Sequence, residues 1–395
     1  MPSSAGSRGT GDWGTDERPK NFRELIMWRQ PNGMTPLTAL LSRVKSQNVD
    51  DPEFSWWEEE LKALRLTTDA TGGAAASTTL GVLSGGYDCV AGDLFLVEKA
   101  DSTTFDNEIV EVSSIASDTS VVFRRGQCGT VAANTGASAS LTKIGNRFEE
   151  GGRSPNVSTR NPVKLFNYAQ ICKTAYGVTE TTKKTYARTG KALAVDKKRK
   201  SFDHAVGIEL ALLFGRRSEV VGPNGKPLRT TGGLRQFLTS NTKVWATTPT
   251  MSTFVDAITP MFDYSATDAG NERVGYMGNG FLNSLQKLLI GQSQVRINYD
   301  KTTSVYGMKF LELVLPQGTV YFKSHPLLNT HPRYTNSAFF IDPTNLKWRP
   351  LRDTAPQDNI QENDEDLEKG QWLTEAGLEV NHERTMGYLG NFVVP

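Results

Sequence analysis

The chain has 395 residues, more than a single hydrophobic core ordinarily serves, so two or three core-forming units are expected. Apolar residues make up only 37% and glycines number 36, which favours turns and β structure and assigns part of the chain to extended arms or partner-covered surfaces. With 44 basic against 43 acidic residues the net charge is +1, so no global field draws nucleic acid or a membrane surface to the protein.

Residues 1–20 are rich in Gly, Ser, Arg and Asp around a single Trp13 and read as a mobile tail without the apolar centre of a secretory signal. Leu37, Leu40, Leu41 and Val44 recur at helical spacing and predict a short helix over Pro36–Val44. Asp51-Pro52-Glu53-Phe54-Ser55-Trp56-Trp57-Glu58 follows, and its adjacent tryptophans suit an extended arm anchored by large rings; an ordinary core is the competing reading. From 67 to 84 the chain is a Thr/Gly/Ala/Ser tract that reads as a flexible connection. Strands are predicted at Asp93–Val97, Asn107–Val112 and Ser120–Arg124, and this regular spacing in an acidic stretch (68–145) indicates a small inserted β sandwich or barrel.

Residues 146–217 lean basic. They begin polar and β-prone, with Val178–Thr182 as a strand, and end in the best helix of the chain, Lys191–Arg217. Phe202, Val206, Leu210 and Leu213 are its expected apolar face, and Lys197-Lys198-Arg199-Lys200 lies in its first half. Gly222-Pro223-Asn224-Gly225 stops it. Glu272–Ile290 reads as strand, Gly-rich turn and helix. Phe310–Leu315 and Thr319–Phe322 alternate as two strands about Pro316-Gln317-Gly318, where glycine can supply a positive φ, and His325-Pro326 ends the second. Ala338–Ile341, Leu346–Arg349 and Gly377–Val380 are the remaining strands, and 353–368 is acidic through Asp353, Asp358, Glu362, Asp364, Glu365, Asp366 and Glu368. Opposed charge blocks suit head-to-tail contacts between copies; solvated faces are the alternative.

Little in the chain points to chemistry. Gly275-Tyr-Met-Gly278-Asn-Gly280 has neither dinucleotide nor Walker spacing, so a strand-to-helix turn is the better reading. His325 and His331 precede prolines, as in turns, and His204 and His382 have no cysteine nearby, so neither a metal nor another cofactor is expected. No Gly-x-Ser-x-Gly elbow occurs, and Cys89, Cys128 and Cys172 lack a catalytic neighbourhood or disulfide spacing, which suits a reducing compartment and a non-enzyme. No run of eighteen apolar residues exists to span a membrane as a helix. The Lys197–Lys200 run could meet phosphates, but a neighbouring copy's acidic loop is the more frequent use of such a run.

In order along the chain, Pro36–Leu41 with Asp51–Trp57, Asn167–Ile171 with Val178–Thr181, Lys191–Arg217, Tyr306–Leu327, Asp342-Pro343 and Thr374–Val380 resemble segments of tailed-bacteriophage major capsid proteins. The resemblance implies an α+β chain of the Hong Kong 97 capsid fold. It would consist of an N-terminal arm (1–66), a β-rich module associated with the extended loop (67–145) and the extended loop itself (146–190). The spine helix and start of the peripheral domain (191–230), an axial domain (231–335), and peripheral strands with the C-terminal segment (336–395) would follow. It implies a virion protein, synthesised in the bacterial cytoplasm, that self-assembles as hexamers and pentamers into an icosahedral shell around double-stranded DNA. A portal and a separate scaffolding protein are expected partners and a decoration protein an optional one. Phe54, Trp56, Trp57, Lys197, Lys198, Arg199 and Lys200 are the candidate contacts between subunits. The alternatives are a β-rich tail, decoration or binding protein, and an encapsulin-type container shell.

Overall fold

The computed structural model describes residues 35–41, 46–59, 64–97, 108–155, 159, 161–185, 190–264, 271–291, 303–305 and 308–395. The tail expected at 1–20, Val44, Asn107 and Tyr306 lie outside the described residues. Two compact units divide the chain, Trp56–Leu165 and the sequence on either side of it.

The larger unit is built on a seven-stranded mixed sheet. Its strand order is Thr242–Val244, Gly387–Gly390, Ala338–Ile341, Glu272–Met277, Gly318–Ser324, Met308–Leu315 and Thr303–Val305. The first and second strands, and the fourth and fifth, run parallel. Ala338–Ile341 is apolar at every position because both of its faces are covered. Successive side chains point to opposite sides of a strand. Thus Phe339 and Ile341 join Val274, Tyr276 and Tyr321 in one core, while Ala338 and Phe340 join Met277 and Phe322 in another. Leu37, Leu40 and Leu41 of the helix Pro36–Leu41 complete the first core with Ile208, Leu212 and Leu213. The helices Met251–Ile258 and Asn279–Gly291 complete the second through Phe254, Ile258, Phe281 and Leu285. Each such buried side chain contributes about 1.5–3 kcal/mol.

Glycines place two junctions of this sheet. A Cβ at Gly278 would run into the Thr335 backbone, and one at Gly280 into the Asn336 side chain, so the Gly-rich turn is a close approach between segments. At the hairpin, Gly318 does not carry the positive φ expected of it; it starts the second strand, where a Cβ would strike the Phe262 ring and the Asn271 carbonyl.

Leu346–Gln357, Leu367–Val380 and Gln170–Thr179 form an antiparallel three-stranded sheet with the middle strand central. Gln170–Thr179 falls in the stretch expected as extended loop, and it pairs with Leu367–Ala376 over ten residues. The long helix, Ala192–Phe214, packs on this sheet and ends at Gly215, where a Cβ would meet the carbonyls of Ala211 and Thr231. Its inward face differs from the expected one. His204, Ile208 and Leu212, with Glu209 and Leu213, are buried, whereas Phe202 and Val206 are half-buried and Leu210 is exposed. The apolar spacing pointed to the wrong stripe because two polar side chains, His204 and Glu209, belong to the buried one.

The smaller unit is a six-stranded antiparallel sheet. Its order is Arg65–Thr67, Ser140–Asn146, Asp93–Val97, Glu108–Ser117, Ser120–Gln127 and Thr79–Gly81. Leu66, Leu80, Phe95, Val110, Phe123 and Leu141 lie in its core. The Thr/Gly/Ala/Ser tract is therefore not merely a flexible connection: Leu80 and Val82 give it a buried anchor, and the Asp69 carboxylate accepts the amides of Thr71 and Gly72, both at 3.0 Å. Glu108 is buried beside Arg125 at 2.5 Å and also accepts the amides of Gly126 and Ala133. Burial pushes its carboxyl up, but these donors outweigh burial and hold it below the usual value.

Candidate assembly surfaces

Within the larger unit, a buried polar cluster fastens the helix Pro36–Leu41 to the long helix. Glu209 projects from the long helix and takes the Leu37 and Thr38 amides on its two carboxylate oxygens, each at 2.7 Å, and the Thr38 hydroxyl as well. These are first-turn amides of the helix Pro36–Leu41, which have no partner within the helix. His325 Nε2 lies 2.8 Å from the same carboxylate, and the Tyr276 hydroxyl donates to the Pro36 carbonyl at 3.0 Å. Beyond that helix, Gln47 and Val49 donate to the carbonyls of Trp348 and Pro350, so the chain runs along the edge of the three-stranded sheet.

The aromatic candidates are dealt to opposite sides of the strand Glu53–Glu58. Phe54 and Trp56 are buried, and Trp57 is 64% exposed. A Cβ at Gly377 would strike the Phe54 ring, so Phe54 seats on the backbone of the middle strand of the three-stranded sheet. The Trp56 indole donates to Glu58 at 3.1 Å.

The basic candidates divide likewise. Lys197 lies 2.9 Å from Asp358 of the acidic stretch, and Tyr176 donates its hydroxyl to the same carboxylate. The Tyr176 hydroxyl, then Lys197, hold the Asp358 carboxyl below its usual value. Lys200 reaches Asp203 one turn on, at 3.2 Å, while Lys198 and Arg199 are exposed. Lys183 of the basic stretch reaches Glu368 at 2.6 Å, so part of the opposed charge is neutralised within one chain.

Three buried polar residues have distant partners that no local sequence pattern marks. Asn167 donates to Thr231 Oγ1, the Gly232 carbonyl and the Leu378 carbonyl, and accepts from the Gly232 and Tyr168 amides, tying three distant segments together. His204 meets the hydroxyls of Thr174 and Thr374 at 3.0 and 2.8 Å, one on each ring nitrogen, and burial lowers its pKa. Glu209 is the third. Among the described residues no group of three His, Cys, Asp or Glu side chains is placed to hold a metal, and no helix is long and apolar enough to cross a membrane.

The SU10 major capsid protein family model matches residues 7–392. The chain belongs to that family. It is a major capsid protein of a phage, and its family is one of structural capsid proteins. The major capsid protein of Pseudomonas phage PaMx41 is 29% identical over 321 residues, 78% of this chain and 73% of that one. The capsid of the native GTA particle shares the fold at a TM-score of 0.50 and 11% identity, over 98% of each chain. The capsid of Myoviridae phage XM1 aligns over 94% of this chain and 96% of its own at 10% identity, with a TM-score of 0.49. The capsid protein has the Hong Kong 97-like α+β fold expected of it. Family membership decides among the readings carried from the sequence in favour of the phage shell subunit.

Proposed function

We propose that copies of this capsid protein associate as hexamers and pentamers that close into an icosahedral shell around double-stranded DNA, working by geometry and not by catalysis. Beyond the family membership, one structural observation supports the reading most directly. The hairpin Ser218–Val221 with Pro227–Thr230 leaves the long helix as an isolated two-stranded sheet, exposing Val220, Val221 (79%) and Leu228. Such a hairpin is marginal alone in water, and its apolar side chains, Val220 beside Leu228 on one face and Val221 on the other, suit cover by a partner. Trp57, Lys198 and Arg199 are the outward-facing members of the candidate contacts, and in this reading they meet neighbouring subunits. A portal and a separate scaffolding chain complete the assembly after synthesis in the host cytoplasm. DNA meets the inner face without sequence preference.

Negative-stain electron microscopy of the purified chain beside size-exclusion chromatography tests the proposal. Shells, tubes or capsomer rings are expected. A monomer that stays monomeric when portal and scaffold chains are added would overturn it.

A further inference from the structure

A cleft of about 820 Å³ opens where the long helix ends, and four arginines line it: Arg216, Arg217, Arg235 and Arg333. No carboxylate lines it; Glu383 stands at the rim, where it accepts the amides of Thr239 and Ser240. None of the four guanidinium groups meets a carboxylate among the described residues. Two are held in place by aromatic faces: Arg217 lies 3.7 Å above the Phe166 ring, and Arg235 lies 4.3 Å above that of Tyr388. Stacking fixes the plane of a guanidinium; Arg217 also donates one N–H to the Phe166 carbonyl at 2.5 Å, and its remaining donors, with those of Arg235, face no carboxylate and suit a carboxylate or phosphate.

The same chain carries the complement. In the exposed loop between Leu346–Gln357 and Leu367–Val380, the flanking acids are used internally, Asp358 by Lys197 and Glu368 by Lys183. Glu362, Asp364, Glu365 and Asp366 at the tip have no cationic partner among the described residues.

Resting on the self-assembly reading above, we infer that the arginine cleft of one subunit receives the acidic loop, residues 359–366, of a second copy. This is a heterologous head-to-tail contact, in which every copy contributes one cleft and one loop, so the stoichiometry is met without a further partner. A concave, partly aromatic cleft of this size suits a peptide turn better than a DNA duplex, whose phosphates line a convex surface. Desolvated charge pairs of this kind set register and specificity.

Charge exchange in the full chain tests the contact. Reversal of the cleft (Arg216→Glu with Arg333→Glu) and reversal of the loop (Glu362→Lys with Asp364→Lys and Glu365→Lys) should each raise the concentration for half-maximal assembly about tenfold or more. Both sets in one chain, or an equimolar mixture of the two variants, should restore assembly. Both cleft residues are exposed, so monomeric variants should keep the wild-type unfolding transition. Wild-type assembly by the cleft variant, or failure of both rescues, would overturn the contact. Normal shells that fail to retain DNA would do so in favour of a nucleic-acid site. A wild-type chain that never assembles would instead sink the underlying self-assembly reading, and this contact with it.

Discussion

Glu209 and His325 meet 2.8 Å apart with both side chains fully buried, 116 residues from each other in the chain. The glutamate carries the larger burden, because the same carboxylate receives two amides and a hydroxyl from the helix Pro36–Leu41. Glu209→Ala should destabilise the subunit by about 3–5 kcal/mol, since it strips partners from several buried polar groups at once. Glu209→Gln keeps the volume but turns a donor toward donors, and should cost about 1–3 kcal/mol. Urea denaturation of the monomer measures both; losses within about 0.5 kcal/mol for either would show that the cluster does not hold this helix in place.

Phe54 and Trp57, three residues apart, should separate folding from assembly. Phe54→Ala removes a ring seated on Gly377 and should cost about 3–5 kcal/mol. Trp57→Ala should stay within about 0.5 kcal/mol of wild type while lowering particle yield. Equal particle yield from the Trp57 variant in electron micrographs would remove that ring from the contacts.

His204 gives the subunit a pH dependence of known sign. Its folded pKa lies below the ordinary 6.5 because burial disfavours the imidazolium. Below that value the unfolded chain binds the extra proton and the folded one does not. The contribution is therefore complete above about pH 6.5 and declines as pH falls toward the folded pKa, by at most about 1.4 kcal/mol per pH unit. Denaturation at pH 7.5 and 5.5 should show a smaller loss in His204→Gln than in wild type. An unchanged difference would assign the acid sensitivity elsewhere.

Among the described residues, the core of the six-stranded sheet draws only on those from Leu66 to Leu141. Replacing residues 64–148 by a short Gly linker should consequently leave the remainder with a single cooperative transition, followed by circular dichroism. Loss of cooperativity would mean that the two units share their stability.

Much of this architecture is legible in the residues. Ala338–Ile341 and Asp93–Val97 form strands over the expected residues, because their β-rich runs end at strong turn signals. Pro36–Leu41 also reads correctly from its leucines. The long helix was visible, yet its buried face was not. His204 and Glu209 are inward only because Thr374 and His325 await them, 170 and 116 residues away. No local period encodes such a partner. Composition groups Phe54, Trp56 and Trp57, while a strand deals neighbours to opposite sides, which divides them. Lys197 looked like an outward charge, and its match at Asp358 lies 161 residues on.

The pairing of Leu367–Val380 and Gly387–Gly390 bears on the birth of the subunit. One is the middle strand of the three-stranded sheet, and the other bridges two strands of the seven-stranded sheet. Each leaves the ribosome after every strand it pairs with. The six-stranded unit, contiguous from Arg65 to Asn146, has all its strands in hand much sooner. Vectorial synthesis therefore orders the folding, with the β-rich unit closing first and the shell-forming sheets waiting on their last strands. A nascent chain stalled before residue 367 would leave Leu346–Gln357 and Gln170–Thr179 without the strand that both pair with.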